Sequence, residues 1–265
     1  MKLSQLRSRP PLSLSILALA LAIASSGHAQ KKESGSDAPA APPIDPRAAS
    51  ILSRAVDFLA NAKQYSTTAE VWQDLVQKDG TKLQFTKFVD IRLRRPDRLR
   101  VDVRTVTPKR SFYYDGKSLT FHDPQNQFYG TVEAPGTIDA MIESLEKTVG
   151  IELPLEDIMI SKPFGEAAAA ARSGSYLGLD PVLGRTCHHL AFRAEAISWQ
   201  LWIEEGSVPA LRKAVITFED EERSPQFTAL FDEWDLLTPL PDFVFSYDPL
   251  DGALEIEFET VKTPK

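Results

Sequence analysis

The sequence predicts a mainly β domain of the α+β class, in which about eleven antiparallel strands form one curled sheet covered on its apolar face by helices. Three observations carry that reading. Apolar and polar residues alternate over most of the chain after Tyr65, turn-forming pairs separate the alternating runs, and only a few stretches show helical spacing instead. The 265 residues, 43% of them hydrophobic, are enough for one large core.

The N-terminus is read apart from the domain. Lys2, Arg7 and Arg9 precede an uncharged apolar run, Leu12 to Ala24, that ends in Ser25-Ser26-Gly27-His28-Ala29, the pattern of a cleavable secretory signal peptide over residues 1–29 cut after Ala29. Ala22-Ile23-Ala24 is a second small-residue site, but a cut there falls inside the apolar run. The run is shorter than the about 20 residues a bilayer span needs. No cysteine follows either site, which argues against a lipid anchor there and for a soluble periplasmic protein with no transmembrane segment after cleavage. Removal of Lys2, Arg7 and Arg9 takes the net charge from -7 to -10, a sign that repels phosphates and speaks against nucleic acid as a partner. Residues 30–45, rich in Pro, Ala, Ser and Lys, read as a disordered linker, and residues 46–265 as a single domain.

Asp45 followed by Pro46 supplies an N-cap and a first helical residue, and Ile51, Leu52, Ala55, Phe58, Leu59 and Ala62 recur at helical spacing. Strands follow. Leu83, Phe85, Val89, Ile91 and Leu93 alternate with Lys82, Gln84, Thr86, Asp90, Arg92 and Arg94, and Leu99, Val101 and Val103 with Arg98, Arg100, Asp102 and Arg104. Asp79-Gly80 and Asp115-Gly116 offer the positive-φ residues of tight hairpins, while Pro96-Asp97 and Asp123-Pro124 mark further turns. Six strands fit between Tyr65 and Glu133, with connections too short for parallel crossovers. Ile138, Met141, Ile142, Leu145 and Val149 then share a helix face up to Gly150, Pro154 to Met159 can form a short turn, and Gly165 to Arg172 is alanine-rich. Strands resume over residues 175–179, 185–194, 197–205, 211–219 and 227–237, with a last one near 254–258.

A sheet of this size twists and curls, and its apolar face needs a cover. The helices provide it. A curled sheet offers a wider face than they can fill, which leads to an apolar hollow lined by Leu83, Phe85, Val89, Ile91, Leu99, Val101, Val103, Phe112 and Tyr114.

The run Asp115-Gly116-Lys117-Ser118-Leu119-Thr120-Phe121-His122-Asp123-Pro124 resembles a hairpin of the periplasmic lipoprotein carriers LolA and LolB, and Trp199 to Ile203 with Leu211-Arg212-Lys213 resembles their later hairpin. Gly184 to Arg193, with the order of all elements, is similar to the predicted periplasmic proteins of domain of unknown function 2092, over most of Pro46 to Glu259. The resemblance implies a curved, half-open antiparallel β-barrel (LolA-like) whose helix-capped hollow holds acyl chains. A carrier of this kind requires no cofactor, and with no activated nucleophile or metal set to name, no enzyme is expected.

Chemical candidates resolve into ordinary structure. His188 and His189 are neighbours on a strand and point to opposite faces, so they cannot share a metal. Cys187 and His189 share a face but lack a third ligand, and Cys187 lacks the electropositive setting of a nucleophile. His122 reads as an exposed turn residue, and Glu219-Asp220-Glu221-Glu222 and Asp248-Pro249-Leu250-Asp251-Gly252 as solvated turns. Nucleotide-binding glycine motifs, serine-hydrolase elbows and zinc-protease helices are missing. Trp72, Trp199, Trp202 and Trp234 suit a core, or the lining of the hollow.

Arg92, Arg94, Arg98, Arg100 and Arg104 lie on one face of two neighbouring strands. They form either a basic surface for anionic head groups or a protein partner, or a set of salt bridges to nearby carboxylates, the reading preferred here. The function expected is a periplasmic, non-enzymatic binding or carrier protein for an acyl chain, lipid or lipidated ligand. The alternative is a packed scaffold that binds an envelope protein.

Overall fold

A computed structural model describes residues 43–105 and 109–258. The signal peptide and cleavage site read at residues 1–29, and most of the linker read at 30–45, lie outside them. The linker's last residues are already engaged: Ile44 bridges Gly174, and the Asp45 N–H donates to the Gly174 carbonyl at 2.9 Å.

Helix α1 (Pro46–Asn61) begins where the Asp45 side chain accepts the Arg47 N–H at 2.7 Å, with Pro46 at the first position where no donor is missed. Its buried stripe is Ala48, Ile51, Leu52, Ala55 and Leu59. Six strands follow: β1 (Gln64–Val76), β2 (Lys82–Arg94), β3 (Arg98–Arg104), β4 (Lys109–Tyr114), β5 (Ser118–Asp123) and β6 (Phe128–Glu133). Asp115 closes the β4–β5 hairpin by accepting the N–H groups of Lys117 and Ser118, with Gly116 at φ 88. Next come α2 (Ile138–Val149), capped by Thr137 and stopped by left-handed Gly150, a 3-10 turn at Glu156–Ile158, and α3 (Gly165–Ala170). Then follow β7 (Ser173–Val182), β8 (Arg185–Arg193), β9 (Ile197–Glu204), β10 (Leu211–Phe218), β11 (Gln226–Asp235), a second 3-10 turn at Asp242–Phe245, and β12 (Leu254–Glu255).

The strands form one sheet in the order β12-β6-β5-β4-β3-β2-β1-β11-β10-β9-β8-β7. Two meanders are thus joined in the middle by antiparallel β1 and β11, where Ala69 faces Phe231. Strands β6 and β7 lie far apart in the sheet, so the α2–α3 connection must cross it. It crosses the apolar face, here called the inner face, where α1 and α2 also contribute to the main core.

The sheet is curved and open rather than a closed barrel. Its twelve strands are not all antiparallel, because β12 pairs parallel with β6. The cause is the C-terminal segment, which returns over the outer face: Arg94 donates to the Leu240 carbonyl at 2.7 Å, Phe245 is fully buried, and Tyr247 packs on Tyr113, His122 and Tyr129. His122 is therefore not an exposed turn residue. It sits in β5 with its ring 4.4 Å from that of Tyr247.

Candidate functional site

Strand register places all nine residues expected to line the hollow on the inner face. Leu93 faces Leu99, Ile91 faces Val101 and Val89 faces Val103; Tyr114 and Phe112 continue the same rows on β4. Leu83 and Phe85 lie on the same face of β2, opposite Leu75 and Gln73 of β1. The nine split into two groups. Val89, Ile91, Leu99, Val101, Phe112 and Tyr114 are buried and Val103 is half-buried beneath the helical cover, whereas Leu83 and Phe85 remain 43% and 51% exposed.

The space above the buried group is occupied. Met141, Ile142 and Leu145 of α2, with Leu155, Ile158 and Phe164 of the segment after it, are buried in the same core as the strand residues. Two depressions of the described surface, about 380 Å³ beside Arg172 and Arg193 and about 330 Å³ between Trp72 and Trp202, both lie outside that space. What stays open is the margin where the β1–β2 hairpin outruns the cover. Along the inner face of β2, Leu93, Ile91 and Val89 are sealed, Lys87 is half-buried, and Phe85 and Leu83 reach solvent.

The cover is fastened by carbonyls rather than by a long helix. Tyr65 Oη donates to the Ile158 carbonyl at 2.8 Å, and Arg95 Nη1 and Nη2 donate to the carbonyls of Met159 and Ile160 at 2.9 and 3.1 Å. Ser161 is held by the Asp139 carboxylate through both its N–H and its hydroxyl. Within this segment, burial pushes the Glu156 carboxyl up to about 8, aided by the nearby charges of Asp157, Glu146 and Glu152. Burial likewise raises Asp157 to about 7, aided by Glu166.

Each arginine of the basic stripe is paired. Arg92 and Arg100 both reach Asp102 at 3.0 Å, Arg104 reaches Asp90 at 3.0 Å, Arg98 reaches Asp97 at 3.0 Å, and Arg94 bonds Asp242 of the C-terminal segment. Asp102 is nearly sealed from solvent and also accepts the Ser111 hydroxyl at 2.5 Å. Burial alone would raise its pKa, but Ser111, Arg100 and Lys109 outweigh it and hold the carboxyl below its usual range. Arg92 and Arg104 thus bind β2 to β3 across the outer face, and Arg94 binds β2 to the C-terminal segment.

The remaining candidates separate as strand geometry dictates. His188 faces inward to Tyr176 Oη at 3.2 Å, while His189 faces outward, stacked 4.1 Å from Trp202 and bonded to Gln200. Cys187 is buried on the outer face, its thiol pushed up to about 11 by burial and then by Glu204, which is the opposite of an activated nucleophile. Trp199 and Trp234 face the main core; Trp202 belongs to a small outer cluster with Val182, Cys187 and Val215. Among the described residues no group of three His, Cys, Asp or Glu side chains could hold a metal, and no helix is long and apolar enough to cross a membrane.

Sequence reasoning missed Lys87. Its signal was positional: Leu83, Phe85, Val89, Ile91 and Leu93 mark every second residue, and the slot between Phe85 and Val89 holds a lysine.

Solved structures similar to the chain include lipoprotein LppX of Mycobacterium tuberculosis, at 12% identity and TM-score 0.44 over 74% of this chain and 100% of that one. LprF of Mycobacterium bovis is similar at 14% identity and TM-score 0.45 over 75% and 98%, and the LolA superfamily protein NE2245 of Nitrosomonas europaea at 12% and 0.35 over 77% and 99%. No curated protein matches the sequence. The model of one family, described as predicted periplasmic protein (DUF2092), matches residues 48–259, and the chain belongs to that family.

Proposed function

We propose that the protein is an exported, non-enzymatic binding or carrier protein of the periplasm whose inner face accepts an acyl chain, a lipid or a lipidated ligand. One observation carries the reading: the apolar inner face continues past its cover, leaving Leu83 and Phe85 at the open end of a row that begins in the core. Each methylene a ligand buries there is worth about 0.8 kcal/mol, so a few carbons give useful affinity without a specific polar contact. A longer chain gains more by entering under the segment from Gly150 to Arg172, whose regular structure amounts to one 3-10 turn and a six-residue helix.

The test is to export the protein with its own signal, purify it without detergent, and extract it for lipid mass spectrometry. The parent is expected to carry near-stoichiometric phospholipid or acyl species, and the Leu83→Asp/Phe85→Asp variant far less. A clean apo mass for the parent would sink the reading.

A second reading is favoured by the filled interior: a packed scaffold that engages an envelope protein. Strand β7 ends the sheet and presents exposed Leu177 and Leu179, an edge suited to strand addition. A partner captured by the parent and lost on Leu179→Lys, with no lipid recovered, would select it.

A further inference from the structure

The inner face of β2 reads Leu93, Ile91, Val89, Lys87, Phe85, Leu83, five apolar side chains and one cation. The cation stands in an apolar setting. Across the pair lies Val71, fully buried; beyond it on β11 is Ala229, also fully buried; two residues away on the same face of β2 is Val89, fully buried too. Packing alone would favour an apolar residue at this position, because the ammonium of a half-buried lysine gives up part of its hydration.

The five arginines of the outer stripe each have a carboxylate within 4.0 Å, in a chain with 37 acidic and 30 basic residues. Lys87 has none among the described residues, and burial, with no compensating anion, lowers its pKa. The other inner-face cation nearby, Arg110 of β4, already lies 3.5 Å from the sealed carboxylate of Asp123. On the inner face of β2, Lys87 is thus a cation without a carboxylate partner among the described residues. It sits at the boundary between the sealed core and the exposed apolar pair Phe85 and Leu83.

Resting on the function proposed above, we infer that the ligand is a single amphiphile with an anionic head group, which Lys87 binds while Phe85, Leu83 and half-buried Leu75 take the adjoining part of its acyl chain. From Lys87 to Leu83 the strand advances about 13 Å, ample for the start of an extended chain. The head's charge restores to the ammonium what burial removed. A neutral or zwitterionic head does this poorly, so the site selects by charge as well as by apolar area.

The experiment is a calorimetric titration of the signal-cleaved protein with myristoyl lysophosphatidylglycerol and, separately, myristoyl lysophosphatidylcholine, each below its aggregation concentration. The parent is expected to bind the anionic amphiphile roughly tenfold tighter, the gain of one charge-assisted contact. Lys87→Gln should remove that preference, Lys87→Arg should keep it, and Phe85→Asp should weaken both ligands; unchanged far-ultraviolet circular dichroism and urea midpoints establish that the variants fold. Equal affinity of the parent for the two, or a preference surviving in Lys87→Gln, overturns the assignment of Lys87 and leaves the carrier reading intact. Failure of the parent to bind either amphiphile refutes the carrier reading itself. Binding to phosphatidylglycerol vesicles without binding to the monomer overturns the single-ligand proposal in favour of a membrane-docking hairpin.

Discussion

Tyr65 at the start of β1 and Ile158 in the first 3-10 turn are 93 residues apart in sequence, yet a 2.8 Å hydrogen bond from the phenol to the backbone carbonyl ties the sheet to its cover. The phenol is fully buried, and burial drives its pKa well above the ordinary tyrosine value, so it remains a donor at every physiological pH.

Tyr65→Phe keeps the ring packing and leaves the Ile158 carbonyl without this donor. The expected cost is about 1 kcal/mol in urea denaturation. Hydrogen exchange should accelerate in residues 153–161 more than in β1, because the cover has fewer other fastenings than the strand. Equal acceleration in both would show that this bond does not govern the cover.

Glu156 and Asp157 make the cover sensitive to alkali. Their folded pKa values of about 8 and about 7 stand above the ordinary carboxylate range near 4, so in between the unfolded chain holds fewer protons than the folded one. Their contribution is therefore fully favourable below about pH 4, declines as pH rises, and levels off above about 8. Glu156→Gln should flatten this decline and raise Tm above pH 8 by roughly 2–4 °C, the shift that about 1 kcal/mol produces in a domain of this size. A Tm–pH profile of parent and variant that runs parallel from pH 5 to 9 would contradict the assignment.

Asp102 acts in the opposite direction. Its folded pKa is depressed, so its contribution is present above the ordinary carboxylate pKa and is lost as pH falls through its folded value. Asp102→Ala removes the acceptor shared by Arg92, Arg100 and Ser111, and since the arginines are only half-buried a loss of about 2 kcal/mol is expected at pH 7. Denaturant midpoints at pH 7 and pH 3 check it: the difference between parent and variant should shrink in acid.

The two groups of inner-face residues respond differently to the same change. Val101→Asp puts a charge in a fully sealed site and should cost more than about 4 kcal/mol, enough to unfold many domains. Phe85→Asp, at a half-exposed site, should alter stability by no more than about 1 kcal/mol. Thermal melts of the two variants side by side decide whether the row divides at Lys87.

Local chemistry made most elements legible in the sequence. Asp45 with Pro46 announced α1, Gly150 ended α2, and the alternation through Leu99, Val101 and Val103 fixed the face those residues take. The pairing of β1 with β11 was not legible, since nothing in Ala69 or Phe231 marks one for the other across so long an interval. For the same reason the filling of the hollow escaped: Leu155, Ile158 and Phe164 show no regular period, and only the path from β6 to β7 brings them over the sheet. The arginine stripe was readable as a stripe, but its partner Asp242 belongs to a segment whose return over the outer face no pattern announces.

The central seam between β1 and β11 also governs when the structure can form. Thr67 must await Trp234, and β6 must await Leu254, before the sheet is joined at its middle and closed at one border. Such distant pairings make folding slow, because the entropy of closing long loops is lost before the contacts are gained. During synthesis the first meander emerges without its neighbour on one side, and the chain remains uncommitted until nearly all of it has been made. On the export proposed above, that delay would keep the chain threadable until it reaches the compartment where it folds.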